Sequence, residues 1–114
     1  MKQKDIIALL RKEFGNNSVI ILNAGNNKKG IPDCIISYFG AAFFIEIKIN
    51  SDKLSKQQNN FVNTNWKNSY VLRYANNKYI VSYLDHGVYL EKKEFENFKD
   101  ACIDLKNCMV CLKT

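Results

Sequence analysis

Apolar positions recur along the chain at two spacings, and the switches between them mark the elements. From residue 3 to 14, Ile6, Leu9 and Leu10 form a stripe three to four residues apart, the period of an amphipathic helix. Gly15-Asn16-Asn17 ends it. Ser18 to Leu22 is a β-rich apolar run, followed by an Asn-, Gly- and Lys-rich loop to Gly30. Asp33 to Phe39 and Ala42 to Ile49 read as a hairpin closed near Gly40. Ser55 is a helix N-cap, with the helix running to about Lys67. Tyr70 to Tyr74 and Tyr79 to Leu84 are strands around an Asn76-Asn77 turn, and residues 92–106 read as a helix with Phe95, Phe98, Cys102 and Leu105 on one face. The order α-β-β-β-α-β-β-α predicts an α/β protein with a single mixed β-sheet flanked by helices. One domain is expected over 1–114, with a core over 1–85 and a C-terminal helical extension over 91–114.

Charged residues interrupt this pattern at a few positions. Glu13 falls on the apolar stripe of the first helix, seven residues after Ile6. Ala42 to Ile45 is apolar on both faces, and then Glu46 and Lys48 appear on one of them. Asp33 opens the partner strand, directly after Gly30-Ile31-Pro32. A lone buried carboxylate is costly, so each of these should be paired or bound to a cation. Two carboxylates on adjacent strands can converge on one divalent ion, and hard oxygen ligands suit Mg²⁺ or Mn²⁺. A lysine two residues after one ligand can hold an attacking water. The plain alternative is an edge salt bridge of Asp33 or Glu46 with Lys48.

Charge adds to this picture. The 17 basic and 11 acidic residues give +6. The whole excess lies in residues 1–90, with 12 basic against 6 acidic groups; residues 91–114 hold 5 of each. A basic domain favours polyanions. Asn is frequent, at 15 residues, as in chains from AT-rich genomes such as those of many phages. No stretch reaches the ~18–20 apolar residues of a membrane helix, and residues 1–5 carry no signal-peptide pattern. No membrane partner and a cytoplasmic, intracellular location are therefore expected. Cys34, Cys102, Cys108 and Cys111 read as free thiols. Cys108-Met-Val-Cys111 has zinc spacing, but there is no second such pair and His86 is the only histidine.

Three segments then combine: Lys29-Gly30-Ile31-Pro32-Asp33, Phe44-Ile45-Glu46-Ile47-Lys48 and Leu54-Ser55-Lys56-Gln57-Gln58-Asn59-Asn60-Phe61. In order and spacing they resemble the PD-(D/E)XK nucleases of the VRR-NUC type, whose pattern is G-x-P-D, an apolar hairpin, (D/E)-x-K and L-S-x-x-Q-x-x-(W/F). The resemblance covers residues 13–62 and implies a restriction-endonuclease-like αβββαβ core. It implies Asp33 and Glu46 as metal ligands, with the Ile47 carbonyl as a further one and Glu13 completing the site. It makes Lys48 the residue that orients water, and Gln58 a support of the site or a contact to the DNA backbone. Phe61 stands where many relatives have Trp. Residues 70–114 match nothing specific.

The resulting expectation is an Mg²⁺- or Mn²⁺-dependent DNA endonuclease leaving 5′-phosphate and 3′-hydroxyl ends. It would select branched DNA, as Holliday junction resolvases do, and act as a homodimer. A nicking, restriction-type or phage recombination enzyme would use the same site. The reading from another class is a basic module that binds nucleic acid without cutting it. Lys28, Lys29, Lys53 and Lys56 flank the site and suit phosphate contacts or a solvated rim, and Arg73 and Lys78 are weaker candidates. Of Tyr70, Tyr74, Tyr79, Tyr83 and Tyr89, most should be core residues, with one or two available to stack on unpaired bases.

Overall fold

Side chains alternate along a strand, so one central strand can serve a core and a site at once. The computed structural model describes residues 1–22, 30–85 and 88–111. Within them lie the helices α1 (Gln3–Phe14), α2 (Lys56–Thr64) and α3 (Phe98–Cys111). The strands are β1 (Val19–Ile21), β2 (Cys34–Tyr38), β3 (Ala41–Ile49), β4 (Ser69–Ala75), β5 (Lys78–Asp85) and β6 (Val88–Phe95). All six form one mixed sheet in chain order. Neighbours are antiparallel except β3 and β4, which are parallel. A parallel pair needs a crossover, and α2 supplies it. The protein is thus α/β with a single mixed sheet flanked by helices. Among the described residues no helix is long and apolar enough to cross a membrane.

The odd-numbered residues Phe43, Ile45 and Ile47 of β3 join Cys34, Ile36, Tyr70, Leu72, Tyr79 and Val81 in one buried apolar cluster. Ile6 and Leu10 of α1 and Phe98, Cys102, Leu105 and Met109 of α3 complete it. Both helices therefore cover the same sheet face. The opposite face, with Phe44, Glu46 and Lys48, meets α2, where the Phe44 and Phe61 rings pack edge to face at 5.0 Å. Phe61 thus fills the aromatic position against the sheet.

Two hairpins close on two-residue turns with positive φ, Phe39-Gly40 (49° and 77°) and Asn76-Asn77 (53° and 60°). Asn and Gly tolerate this region. Phe39 does not favour it, and it is 85% exposed, with its ring against Tyr38 at 4.6 Å.

Two expectations need correction. Residues 92–95 belong to β6, paired to β5 through Tyr79↔Phe95, Ile80↔Glu94 and Val81↔Lys93. The C-terminal extension is therefore a strand followed by a helix. Glu91-Lys92-Lys93-Glu94 favours helix locally, but pairing with β5 overrides that preference. Phe95 still packs against the apolar cluster, and α3 starts later, capped by Asn97 Oδ1 accepting from the Asp100 N–H at 2.9 Å. The second helix also ends earlier, at Thr64, and Trp66–Asn68 form a 3₁₀ turn into β4.

Candidate active site

Asp33 sits just before β2, opposite Glu46 in the register that pairs Cys34 with Ile45. Its Oδ2 accepts from the Ile47 N–H at 2.7 Å, which fixes the carboxylate against β3. Asp33 is 8% exposed and Glu46 is 3% exposed. Burial pushes the Glu46 carboxyl up to about 8, and the neighbouring Asp33 pushes the same way, while Lys48 pulls down. Two carboxyl groups in one dry site resist carrying two charges.

Lys48 follows on the same face. Its Nζ is 3.7 Å from Glu46 Oε1 and the side chain is 13% exposed. Gln58 ties these groups together. Its Oε1 accepts from Lys48 Nζ at 3.1 Å and from the Ser55 N–H at 2.8 Å, and its Nε2 donates to Glu46 Oε1 at 2.9 Å. In return the Gln58 N–H donates to Ser55 Oγ at 3.1 Å. Ser55 and Gln58 thus form a reciprocal cap on the first turn of α2, and the capping side chain is also the one that reaches the carboxylate. The spacing Ser-x-x-Gln has a physical meaning here: it starts a helix and bridges the acid and the lysine.

Gly30 sets the approach from the other side. Its φ is +84°, and a Cβ there would come within 2.8 Å of Gln57 Cβ. Only glycine lets the segment before Asp33 run this close to α2.

The structure brings Asp33, Glu46, Lys48 and Gln58 together. It does not bring Glu13 to them. The α1 helix covers the face of Ile45 and Ile47, whereas Glu46 projects from the other face. Glu13 is half-buried, and its charge bears on Cys102 of α3. Its backbone carbonyl accepts from Lys106 Nζ at 3.2 Å. Among the described residues, no group of three His, Cys, Asp or Glu side chains is arranged to hold an ion. The inward-facing carboxylate is real, but it turns toward the helix layer.

Lys53 and Lys56 are exposed, on the β3–α2 connection and the first turn of α2. Lys28 and Lys29 lie outside the described residues, as does His86. Lys78 is 3.6 Å from Glu94. Tyr70, Tyr74, Tyr79 and Tyr83 pack in or against the apolar cluster, and the side chain of Tyr89 lies outside those described. Cys34 is buried behind the carboxylates, and burial first, then Asp33 and Glu46, pushes its thiol up to about 12. Cys102 is likewise buried and pushed up to about 12. Cys108, half-buried, and Cys111, exposed, lie in the last turn of α3.

Sequence reasoning gave Gly30 no role beyond its motif, and ranked Arg73 low. The signal for Arg73 is the parallel pairing of β3 with β4, which sets it beside Lys48.

Compared with protein-family models, with curated proteins and with solved structures, the chain finds no match.

Proposed function

We propose that the chain is a divalent-metal-dependent DNA endonuclease, with Asp33, Glu46, Lys48 and Gln58 as its site. One observation carries this reading: two carboxyl groups lie side by side in a buried site with a single lysine between them and the helix. A structural ion pair needs one acid for one base. The second acid leaves the site short of positive charge, and burial, then the neighbouring Asp33, raise Glu46. The donor set is hard oxygen only, which fits a hydrated Mg²⁺ or Mn²⁺ better than a thiophilic metal.

Asp33 and Glu46 would hold the ion through their carboxylates. When bound, it would supply Lewis-acid polarisation of a phosphodiester and a lowered pKa for water. Lys48 orients that water and offers positive charge to the phosphate. Gln58 keeps the Lys48 amine aimed at the carboxylates and limits its rotation. The Ile47 N–H holds Asp33 Oδ2 and so fixes the carboxylate that would take part in holding a cation. A net charge of +6 favours recognition of backbone charge and shape. Branched DNA is the substrate class this suits, inside a cell and in a phage or mobile-element setting. Paired cuts at a junction require two sites and hence a homodimer.

The test is cleavage of labelled four-way junction, flap, single-stranded and duplex DNA with Mg²⁺, Mn²⁺ or EDTA. Metal-dependent cutting by wild type, absent in Lys48→Ala, is expected. Metal-independent binding without cutting would favour the non-catalytic module. Cutting of every substrate would keep the site and remove the preference for branches.

A further inference from the structure

Beyond the carboxylate pair, the face that carries Lys48 holds a second fixed cation. Arg73 is the β4 partner of Lys48 in parallel register. Paired side chains of neighbouring strands leave the same face, with the strands ~4.8 Å apart. Arg73 Nη1 donates to the Asn50 carbonyl at 2.7 Å and to the Asp52 carbonyl at 2.6 Å. Both carbonyls belong to the turn that leaves β3. That turn is tied down by the Asn50 N–H to the Tyr74 carbonyl at 2.7 Å and the Asp52 N–H to the Ile49 carbonyl at 3.2 Å. Asn50 takes φ 55° there, a conformation Asn tolerates. The guanidinium therefore has a rigid seat.

The nature of that seat is informative. Carbonyl oxygens orient a guanidinium without cancelling its charge, as a carboxylate would. Among the described residues Arg73 has no acid within ion-pair distance. On the same face Lys48 is engaged by Gln58 and Glu46, and Lys78 by Glu94. Guanidinium has five N–H donors. The two carbonyl bonds use Nη1, which leaves Nε and Nη2 uncommitted on a half-buried, ordered side chain. A planar fork with its orientation already set matches the oxygens of a phosphate.

We infer that Arg73 is a phosphate-binding residue, taking a non-bridging oxygen of a DNA backbone phosphate beside the one that reaches Lys48. This rests on the nuclease reading of the site. It adds a contact that positions the strand without touching the reacting phosphorus.

The experiment is fluorescence-anisotropy binding of labelled junction and duplex DNA to the full chain in EDTA, across a salt series, with Mn²⁺ titration and thermal melting as controls. Arg73→Gln is expected to weaken DNA binding about tenfold, and to reduce the slope of log affinity against log salt by about one, as loss of one phosphate contact does. Its Mn²⁺ affinity should stay at the wild-type value, which a merely displaced turn would not allow. Arg73→Lys keeps the charge and can still reach the turn carbonyls. It should keep the salt slope and lose several-fold in affinity, because the fork is gone. Arg73→Gln that folds, binds Mn²⁺ and shows wild-type DNA affinity and slope overturns the assignment. If Arg73→Gln does not fold, wild-type DNA affinity in Arg73→Lys overturns it instead. Wild type that binds no DNA defeats both this inference and the nuclease reading, whereas undiminished binding by the variants defeats this inference alone.

Discussion

The two faces of the sheet are built from the same strands yet follow opposite rules. On one face Ile45, Ile47, Leu72 and Val81 meet α1 and α3 in a closed apolar layer. On the other, one residue away along β3, Glu46 and Lys48 meet α2 through Gln58. The first face gains from removing carbon from water. The second sets two carboxyl groups against one lysine, and burial, then Asp33, push Glu46 up. Local rules tend to be broken where a site is built. The α1–α3 layer packs on the sheet, and α2, besides making the crossover and packing Phe61 on Phe44, aims one glutamine at the carboxylates.

Substitutions that separate the faces should give opposite signatures. On the α2 side, Lys48→Ala should lower the cleavage rate by roughly 10²–10³-fold or more, the usual cost of a lost charge-stabilising donor. Its melting temperature should fall too, by less than that of a core variant, since Lys48 is only 13% exposed and leaves Glu46 and Gln58 without their cation. A single-turnover cleavage assay and a thermal melt decide this, and full activity would remove Lys48 from the chemistry. On the α1–α3 side, Leu72→Ala should cost about 2–5 kcal/mol by cavity formation. Urea denaturation would read that loss, while the folded fraction should keep its Mn²⁺ affinity.

The raised Glu46 predicts a pH signature without metal. The folded protein binds the Glu46 proton more tightly than the unfolded chain does. Stability from this group is therefore complete below the ordinary carboxylate range, and it declines as pH rises through about 8. Melting temperatures of the metal-free protein should fall between mildly acid and mildly alkaline pH. Mn²⁺ should reverse the trend, because a cation then takes the place of the proton. Glu46→Gln resembles the protonated acid and can still accept from Gln58 Nε2. It should flatten the pH profile, hold or raise stability at neutral pH, and lose metal binding. A structural ion pair predicts the contrary, a variant destabilised at neutral pH with no metal effect in wild type.

The cap of α2 is a smaller perturbation. Ser55→Ala should cost about 1 kcal/mol through loss of the N-cap hydroxyl. Because Ser55 and Gln58 hold each other, its cleavage rate should drop further than in a core variant of similar stability loss, such as Ile36→Val. Equal rates in the two would mean that Gln58 finds its orientation without the cap.

Much of this arrangement was legible along the chain. The stripe of α1, the Gly40 hairpin, the Ser55 cap and the Asn76-Asn77 turn are local signals, and local signals are written in contiguous residues. The carboxylates were visible because they broke an apolar run. What was hidden depended on pairing between distant segments. The strand β6 carries Glu91-Lys92-Lys93-Glu94, whose preference is helical until β5 offers a partner. Arg73 gains meaning only when β3 and β4 lie parallel and in register.

Glu13 tests the same limit most sharply, because its periodicity and its resemblance to a helix-borne metal ligand agree. Periodicity told which side of α1 faces inward, but it could not tell which face of the sheet α1 covers. The apolar cluster assigns α1 to the Ile45 and Ile47 face, and the Glu13 charge accordingly bears on Cys102 and is absent from those acting on Glu46. Glu13→Gln should therefore leave Mn²⁺ affinity and cleavage rate unchanged. The Lys106 contact uses its backbone carbonyl, which the substitution keeps, so the melting temperature should shift little. Calorimetric titration with Mn²⁺ reads the outcome directly. A clear loss of affinity in Glu13→Gln would mean that α1 reaches around the sheet to the metal, and that the two faces are coupled through it.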